Sequence, residues 1–287
     1  NTAQRDSLRQ AAQDYTLRRD VNFTNVRKER NASSGQRPQV YDIENFAVSY
    51  IFSEVYRRNI NTQLDRRIDH RGTLNYSYQT NPTPVKPFEN LISSQYLALI
   101  KDFNFQYYPQ RISFRGDLMR NYQQLQMRNI DNPDPKFALP ENWNKNFTMD
   151  RNYNLAWDLT QRLKLDYNAV HRVRFDELPG SVYNPAAQEY LVNQLQTLGR
   201  PTQFHQTVNL TWQLPIDKIP YLEFINASIR YSGDYDWQAI SLRAQQDSSL
   251  NYGNTIQNSA AWQANVNLSM STLYNKFPFI TRLSQEP

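Results

Sequence analysis

The chain has 287 residues, with 32 Lys and Arg against 27 Asp and Glu, for a net charge of +5 at pH 7. The two signs are interspersed, which describes a mixed-charge surface better than a nucleic-acid footprint. There is no Cys, which excludes a disulfide framework or a Cys-held zinc, and the longest apolar run, 96–100, falls far short of the ~20 residues of a membrane-spanning helix.

Residues 1–19 read as a polar lead-in with a thin apolar side at Leu8, Ala12, Tyr15 and Leu17, a helical spacing, and no leader-peptide pattern opens the chain. A first strand is expected over about 21–27. Phe46, Val48, Tyr50 and Phe52, then Leu74, Tyr76 and Tyr78, alternate with polar residues and predict two more. The proline-rich break at 81–87 precedes a helical insert expected near 88–101. Beyond it, Ile112, Phe114 and Leu118 alternate with Arg111, Ser113, Arg115 and Asp117.

The second half alternates more regularly. Tyr153, Leu155, Trp157 and Leu159 oppose Asn152, Asn154 and Asp158; Leu163, Leu165, Tyr167 and Ala169 oppose Lys164, Asp166 and Asn168. A second helical insert is expected at 185–198, with Asn184 as N-cap, Pro185 at the first position and Gly199 as the left-handed terminator. Val208, Leu210, Trp212 and Leu214 then oppose Thr207, Asn209, Thr211 and Gln213. Ile225, Ala227, Ile229 and Tyr231 oppose Asn226, Ser228 and Arg230. Finally Trp262, Ala264, Val266, Leu268 and Met270 oppose Gln263, Asn265, Asn267 and Ser269.

These patterns give about nine to ten strands, longer than the ~5–6 residues usual in soluble sheets. From residue 121 onward long and short connections alternate, as in transmembrane β-barrels with short periplasmic turns and long external loops. The fold class is therefore all-β. The expected architecture is an antiparallel up-and-down transmembrane β-barrel segment over 20–287, part of a much larger barrel, with short helical inserts. An odd strand count and an ending just past a turn both fit a segment.

Two short connections carry the same corner. LPIDKIPYLEF places Lys218 two residues before Pro220, and LYNKFPFITRL places Lys276 two before Pro278. Tyr221, Phe224, Tyr274, Phe277 and Phe279 are the expected aromatic girdle at a membrane interface, with both lysines reaching toward headgroups. Phe103, Phe105, Tyr107 and Tyr108 after Lys101 form a looser third copy. The polar residues Arg111, Arg115, Asp117, Asn154, Asp158, Lys164, Asp166, Thr207, Asn209, Thr211, Arg230, Asn265 and Asn267 are the expected lumen lining. Their mixture of neutral amides, hydroxyls and both charge signs implies no ion filter but a wide, water-filled conduit of low adhesion.

Catalytic chemistry finds little support. His70, His171 and His205 lie on different strands without a metal-ligand spacing and are expected on the polar face. Phosphate-loop, nucleophile-elbow and zinc-protease motifs are absent. Asp150 with Asp158, or Asp176 with Glu177, read as ordinary lumen or loop charges rather than an acid/base pair. Tyr56-Arg57-Arg58 suits an interface anchor more than a base-stacking platform.

Several long runs then resemble the SprA/Sov family, the outer-membrane translocon of type 9 secretion. They include VNFTNVRKER (21–30), YDIENFAVSYIFSEVYRRN (41–59), LALIKDFNF (97–105) and LGRPTQFHQTVNLTW (198–212). LPIDKIPYLEFINASIRYSGDYDW (214–237) and GNTIQNSAAWQANVNLSMSTLYNKFPF (253–279) extend the likeness over most of 20–283. The resemblance implies a bacterial outer-membrane channel, with no cofactor and no enzymatic activity, that exports folded cargo bearing a type 9 C-terminal signal domain, and gliding adhesins where these exist. It further implies a PorV-type shuttle barrel, a periplasmic plug protein and outer-membrane lipid as partners, and no nucleic acid. A TonB-dependent-type nutrient transporter, or an outer-membrane enzyme, stays open as an alternative.

Overall fold

The computed structural model describes residues 9, 12–29, 39–92, 94, 97–132, 134–247 and 249–276. Nine strands run in chain order: β1 (Tyr15–Val26), β2 (Phe46–Arg58), β3 (Thr62–Gln79), β4 (Arg111–Met127), β5 (Asn142–Asp158), β6 (Leu163–Arg174), β7 (Arg200–Leu214), β8 (Ile225–Gln238) and β9 (Thr255–Leu268). Each pairs antiparallel with its sequence neighbours in one up-and-down sheet. Among the described residues β1 and β9 each have a single partner, so the sheet is not closed.

Alternation is the cause of this arrangement. Strand side chains point to opposite faces with period two, so a one-residue slip would move every apolar side chain to the polar face. The observed register avoids this in every pair. Leu163, Trp212, Ile229 and Ala264 stand in one cross-strand row, and Leu165, Leu210, Tyr231 and Trp262 in the next. Aromatic neighbours lock the register: Tyr231 and Trp262 at 4.7 Å between ring centroids, Phe46 and Tyr76 at 4.9 Å, Phe114 and Tyr153 at 5.2 Å. A bulge between Phe23 and Val26 holds Asn25 at φ 52, where its amide donates to Ser49 Oγ.

Strand ends differ from expectation where polar residues hid the pattern. β1 opens at Tyr15, so Tyr15 and Leu17 of the expected helical lead-in are strand; Leu8 lies outside the described residues. β4 and β5 run on to Met127 and back to Asn142, through Asn- and Gln-rich residues that had read as connection. The insert near 88–101 reduces, where described, to a turn and the single-turn helix α1 (Ala98–Lys101). Three prolines in 81–87 favour extended backbone there, and Val85 pairs with Phe105 in an isolated bridge.

The connections 27–45, 80–110, 159–162 and 215–224 lie at one end of the sheet (end I), and 59–61, 128–141, 175–199 and 239–254 at the other (end II). The short/long alternation therefore holds only from β4 onward. Nearer the N-terminus it reverses, because the tight turn 59–61 sits among the long loops.

The buried core is not between two sheets. It lies where the 175–199 connection folds back over the end-II half of the apolar face. Phe175 stacks on Phe147 at 4.4 Å, and Phe147, Val173, Phe175, Ile68 and Tyr122 are buried. Glu177 takes both guanidinium arms of Arg120, Tyr183 receives Arg66, and Lys145 and Arg151 donate to the carbonyls of Leu178 and Leu198. Within this strap runs α2 (Pro185–Gln196), capped by Asn184 through the amide of Ala186. The helix ends in a Schellman pair, Leu198 N–H to Leu195 O and Gly199 N–H to Gln194 O. Leu198 thus occupies the left-handed terminator position expected for Gly199, with Gly199 one residue further on.

Candidate functional site

The thirteen residues expected to line a lumen all fall on one face of the sheet. The registers place Ser113, Asn154, Asn168, Thr207, Asp234 and Ser259 in a single row across six strands, with Lys164, Thr211, Arg230 and Gln263 in another. Acids on this face are held by neighbours on it. Asp117 accepts from Thr73 at 2.9 Å and from Arg115 at 2.7 Å, and Asp234 accepts from Thr207 at 2.7 Å and Ser259 at 3.0 Å. Asp117 is thus charge-paired through Arg115, whereas Asp234 keeps its charge and is fixed in place by two neutral hydroxyl donors. Near end I the same face carries a cavity of about 490 Å³ among Gln213, Asn226, Ser228, Asn265 and Asn267.

His205 belongs to this face. Its Nδ1 lies 2.7 Å from Asp236 Oδ1 and its Nε2 3.3 Å from the Thr207 hydroxyl. The order Asp–His–hydroxyl resembles a nucleophile-activating chain. Thr207, however, gives its proton to Asp234, so the imidazole is not placed to take it. His70 and His171 contradict the expectation of polar-face placement: both stand on the apolar face. Their parity with Leu74 and Leu165 carried that signal. His70 packs between Phe52 and Tyr122, and His171 against Phe204. The offered carboxylate pairs separate likewise. Asp176 binds Arg200 and Glu177 binds Arg120, while Asp150 faces Asp117 across β4 and β5.

The apolar face divides along its length. Toward end I it carries Phe46, Val48, Leu74, Ile112, Phe114, Leu155, Trp157, Leu165, Leu210 and Ile229. Toward end II it carries Glu54, Arg66, His70, Arg120, Lys145, Arg151 and His171, largely beneath or beside the strap.

At end I the connections interlock. Lys218 Nζ lies 2.6 Å from Asp102, and Arg162 grips Asp217 through both arms at 2.6 and 2.8 Å. Asn104 and Gln161 exchange two bonds, and the Trp157 indole donates to Gln106 O. The Lys218 corner and the looser aromatic copy after Lys101 thus touch directly, and Phe88, Phe103, Phe105 and Tyr107 stack in series. Tyr221, at φ 75 and 78% exposed, sits 5.8 Å below the Lys276 ammonium. Tyr274 ends the short helix Met270–Tyr274, and Phe224 O receives Ser269 N–H. Phe277 and Phe279 lie outside the described residues. The lysines do not extend freely into their surroundings, as had been expected; Lys276 pairs with Glu223 at 3.0 Å just as Lys218 pairs with Asp102.

The hydrogen bonds from Lys218 and Arg162 lower the carboxyls of Asp102 and Asp217 below their ordinary 3.8. A folded value below the unfolded one stabilises fully above that ordinary value and is lost as pH falls through the folded value. Amide-exchange protection of the 80–110 connection is accordingly expected to be flat from pH 7 to about 5 and to fall only below about 4. Loss of protection already at pH 6 would contradict these pairings.

No family model matches the chain, and no curated protein matches it.

Proposed function

We propose that this chain forms part of the wall of an outer-membrane protein-conducting barrel, of the type 9 secretion kind that the SprA/Sov resemblance suggests. The observation that carries the reading is the two-faced sheet: nine registered strands of 12 to 18 residues, one face mostly polar, interrupted by Ile51, Val55, Met119, Leu125 and Val170, and the other apolar over its end-I half. A tilted barrel strand needs ~9–11 residues to cross a bilayer. From Arg111 to Met119, β4 covers about 26 Å along its length at ~3.3 Å per residue, or about 20 Å in height at a tilt of ~40°, most of the roughly 25 Å apolar band of such barrels. The apolar end-I half then meets lipid, and the strapped, charged end-II half stands outside. End I is periplasmic.

The polar face lines the conduit. Its amides, hydroxyls and interspersed charges of both signs offer a passing folded protein little apolar adhesion and no field of a single sign. Cargo with a type 9 C-terminal signal domain would pass along it. The PorV-type shuttle and periplasmic plug belong to this proposal, as does energy supplied from elsewhere in the cell.

Site-specific photo-crosslinking in the complete protein tests it. A crosslinker at Asn209 is expected to capture cargo during export, and one at Leu210, the next residue and on the other face, to capture none. Capture at both positions, or at neither while export proceeds, overturns the conduit reading. Uptake of a small nutrient without cargo capture points instead to a transporter barrel.

A further inference from the structure

The 80–110 connection does not simply close off β3 and β4. It crosses toward β6 and β7 and leaves a cavity of about 510 Å³ against the foot of the apolar face. Leu99, Phe103, Leu163 and Trp212 supply its apolar walls. Leu163 and Trp212 are cross-strand partners on the apolar face, so the cavity continues that face rather than interrupting it. Three cations, Lys86, Arg162 and Lys218, and a single carboxylate, Asp102, share the lining with Asn104, Thr160, Gln161 and Pro215. Asp102 is bonded to Lys218, and Arg162 has Asp217 outside the cavity. Among the described residues Lys86 makes a 3.4 Å contact to half-exposed Glu89 and its charge also acts on Asp102.

We propose that this cavity is a binding site for one anionic phospholipid, with an acyl chain along Leu99, Phe103 and Trp212 and the headgroup phosphate at Lys86. The inference rests on the outer-membrane reading above and names a ligand for that barrel's periplasmic rim. Its volume lies in the ~300–1,000 Å³ range of small-molecule sites, which are mostly apolar with a few placed polar groups. A chain reaching down from the inner leaflet meets the cavity without leaving apolar surroundings. The phosphate then sits at the water interface, where long cationic side chains place their charge. An uncharged lipid would offer Lys86 no phosphate, and a free phosphate would leave the apolar walls wet. Both alternatives are therefore separable from the proposal.

The test is native mass spectrometry of the complete, delipidated protein titrated with phosphatidylglycerol, diacylglycerol or inorganic phosphate, after flotation with vesicles has established membrane insertion. One phosphatidylglycerol is expected to be retained per chain. Leu99→Trp, which puts a bulkier ring into the acyl-chain path of the cavity, is expected to lower retention at least about tenfold, the equivalent of ~1.4 kcal/mol. Lys86→Glu, which reverses the charge at the half-buried side chain placed at the headgroup, is expected to lower phosphatidylglycerol retention while leaving weak diacylglycerol retention unchanged. Equal retention by wild type and both variants overturns the site, as does phosphate binding without lipid or equal retention of diacylglycerol. A protein that floats with vesicles but retains no lipid overturns this inference alone; one that does not float overturns the barrel reading as well.

Discussion

Leu210→Arg is expected to destabilise the membrane-inserted protein by about 2–4 kcal/mol, the cost of a cation on the lipid face near the bilayer midplane. Asn209→Arg is expected to change stability by less than about 0.5 kcal/mol, as polar surface substitutions do. The two positions are adjacent on β7 and face opposite ways. Leu210 stands between Leu165 and Tyr231, and Asn209 between Asp166 and Ser232. Asn209→Arg gains Asp166 as a cross-strand partner, whereas Leu210→Arg places a charge among apolar neighbours with none. Neither site lies under the strap, so the contrast reports the surroundings of the sheet rather than its internal packing. Reversible denaturant unfolding from lipid vesicles measures both. Nearly equal small effects would place the two faces in the same solvent and remove the membrane from the account.

The strands from β6 onward were readable because their two faces differ cleanly in chemistry, as in Val208, Leu210 and Trp212 against Thr207, Asn209 and Thr211. Elsewhere a second demand is superposed on the period. On β2 to β5 the apolar face must meet the strap at end II, so it carries Glu54, Arg66, His70, Arg120 and Lys145 where alternation calls for apolar residues. That mixture concealed β4 beyond Asn121 and β5 before Asn144, and it placed two histidines on the unexpected face. Their position could still be found by parity, since a residue an even number of steps from Leu74 or Leu165 shares its face. The end-I pairings were a different matter. Asp102 and Lys218 lie far apart in sequence, and no local pattern marks which carboxylate a lysine will meet. The cavity was hidden for the same reason, being built from a connection and two strands that only the register brings together.

The strap is anchored by its exit as much as by its ion pairs, and Gly199→Ala should reveal this. Gly199 sits at φ +75, a conformation that costs a residue with a Cβ about 1–2 kcal/mol. A Cβ there would also lie 2.5 Å from Val173 Cγ1 and 3.0 Å from the Phe175 ring. Val173 and Phe175 are almost wholly buried, so neither can yield without opening the core, and overpacking of this kind adds about 1–3 kcal/mol. The combined expectation is a loss of about 2–5 kcal/mol. It should be confined to the strap if 175–199 unfolds as a local unit. Leu198→Gly is the control. It replaces a non-glycine residue at φ 60, and the strain removed offsets much of the added freedom of the unfolded chain. Limited proteolysis distinguishes the outcomes. Gly199→Ala should expose 175–199 to cleavage while β7 to β9 stay protected, and Leu198→Gly should cut no faster than wild type. If Gly199→Ala resists cleavage like the parent, the strap is held by its other contacts, among them Arg120–Glu177, Arg66–Tyr183, Lys145–Leu178 and the Phe175–Phe147 stack, and the close packing at its exit contributes nothing to its stability.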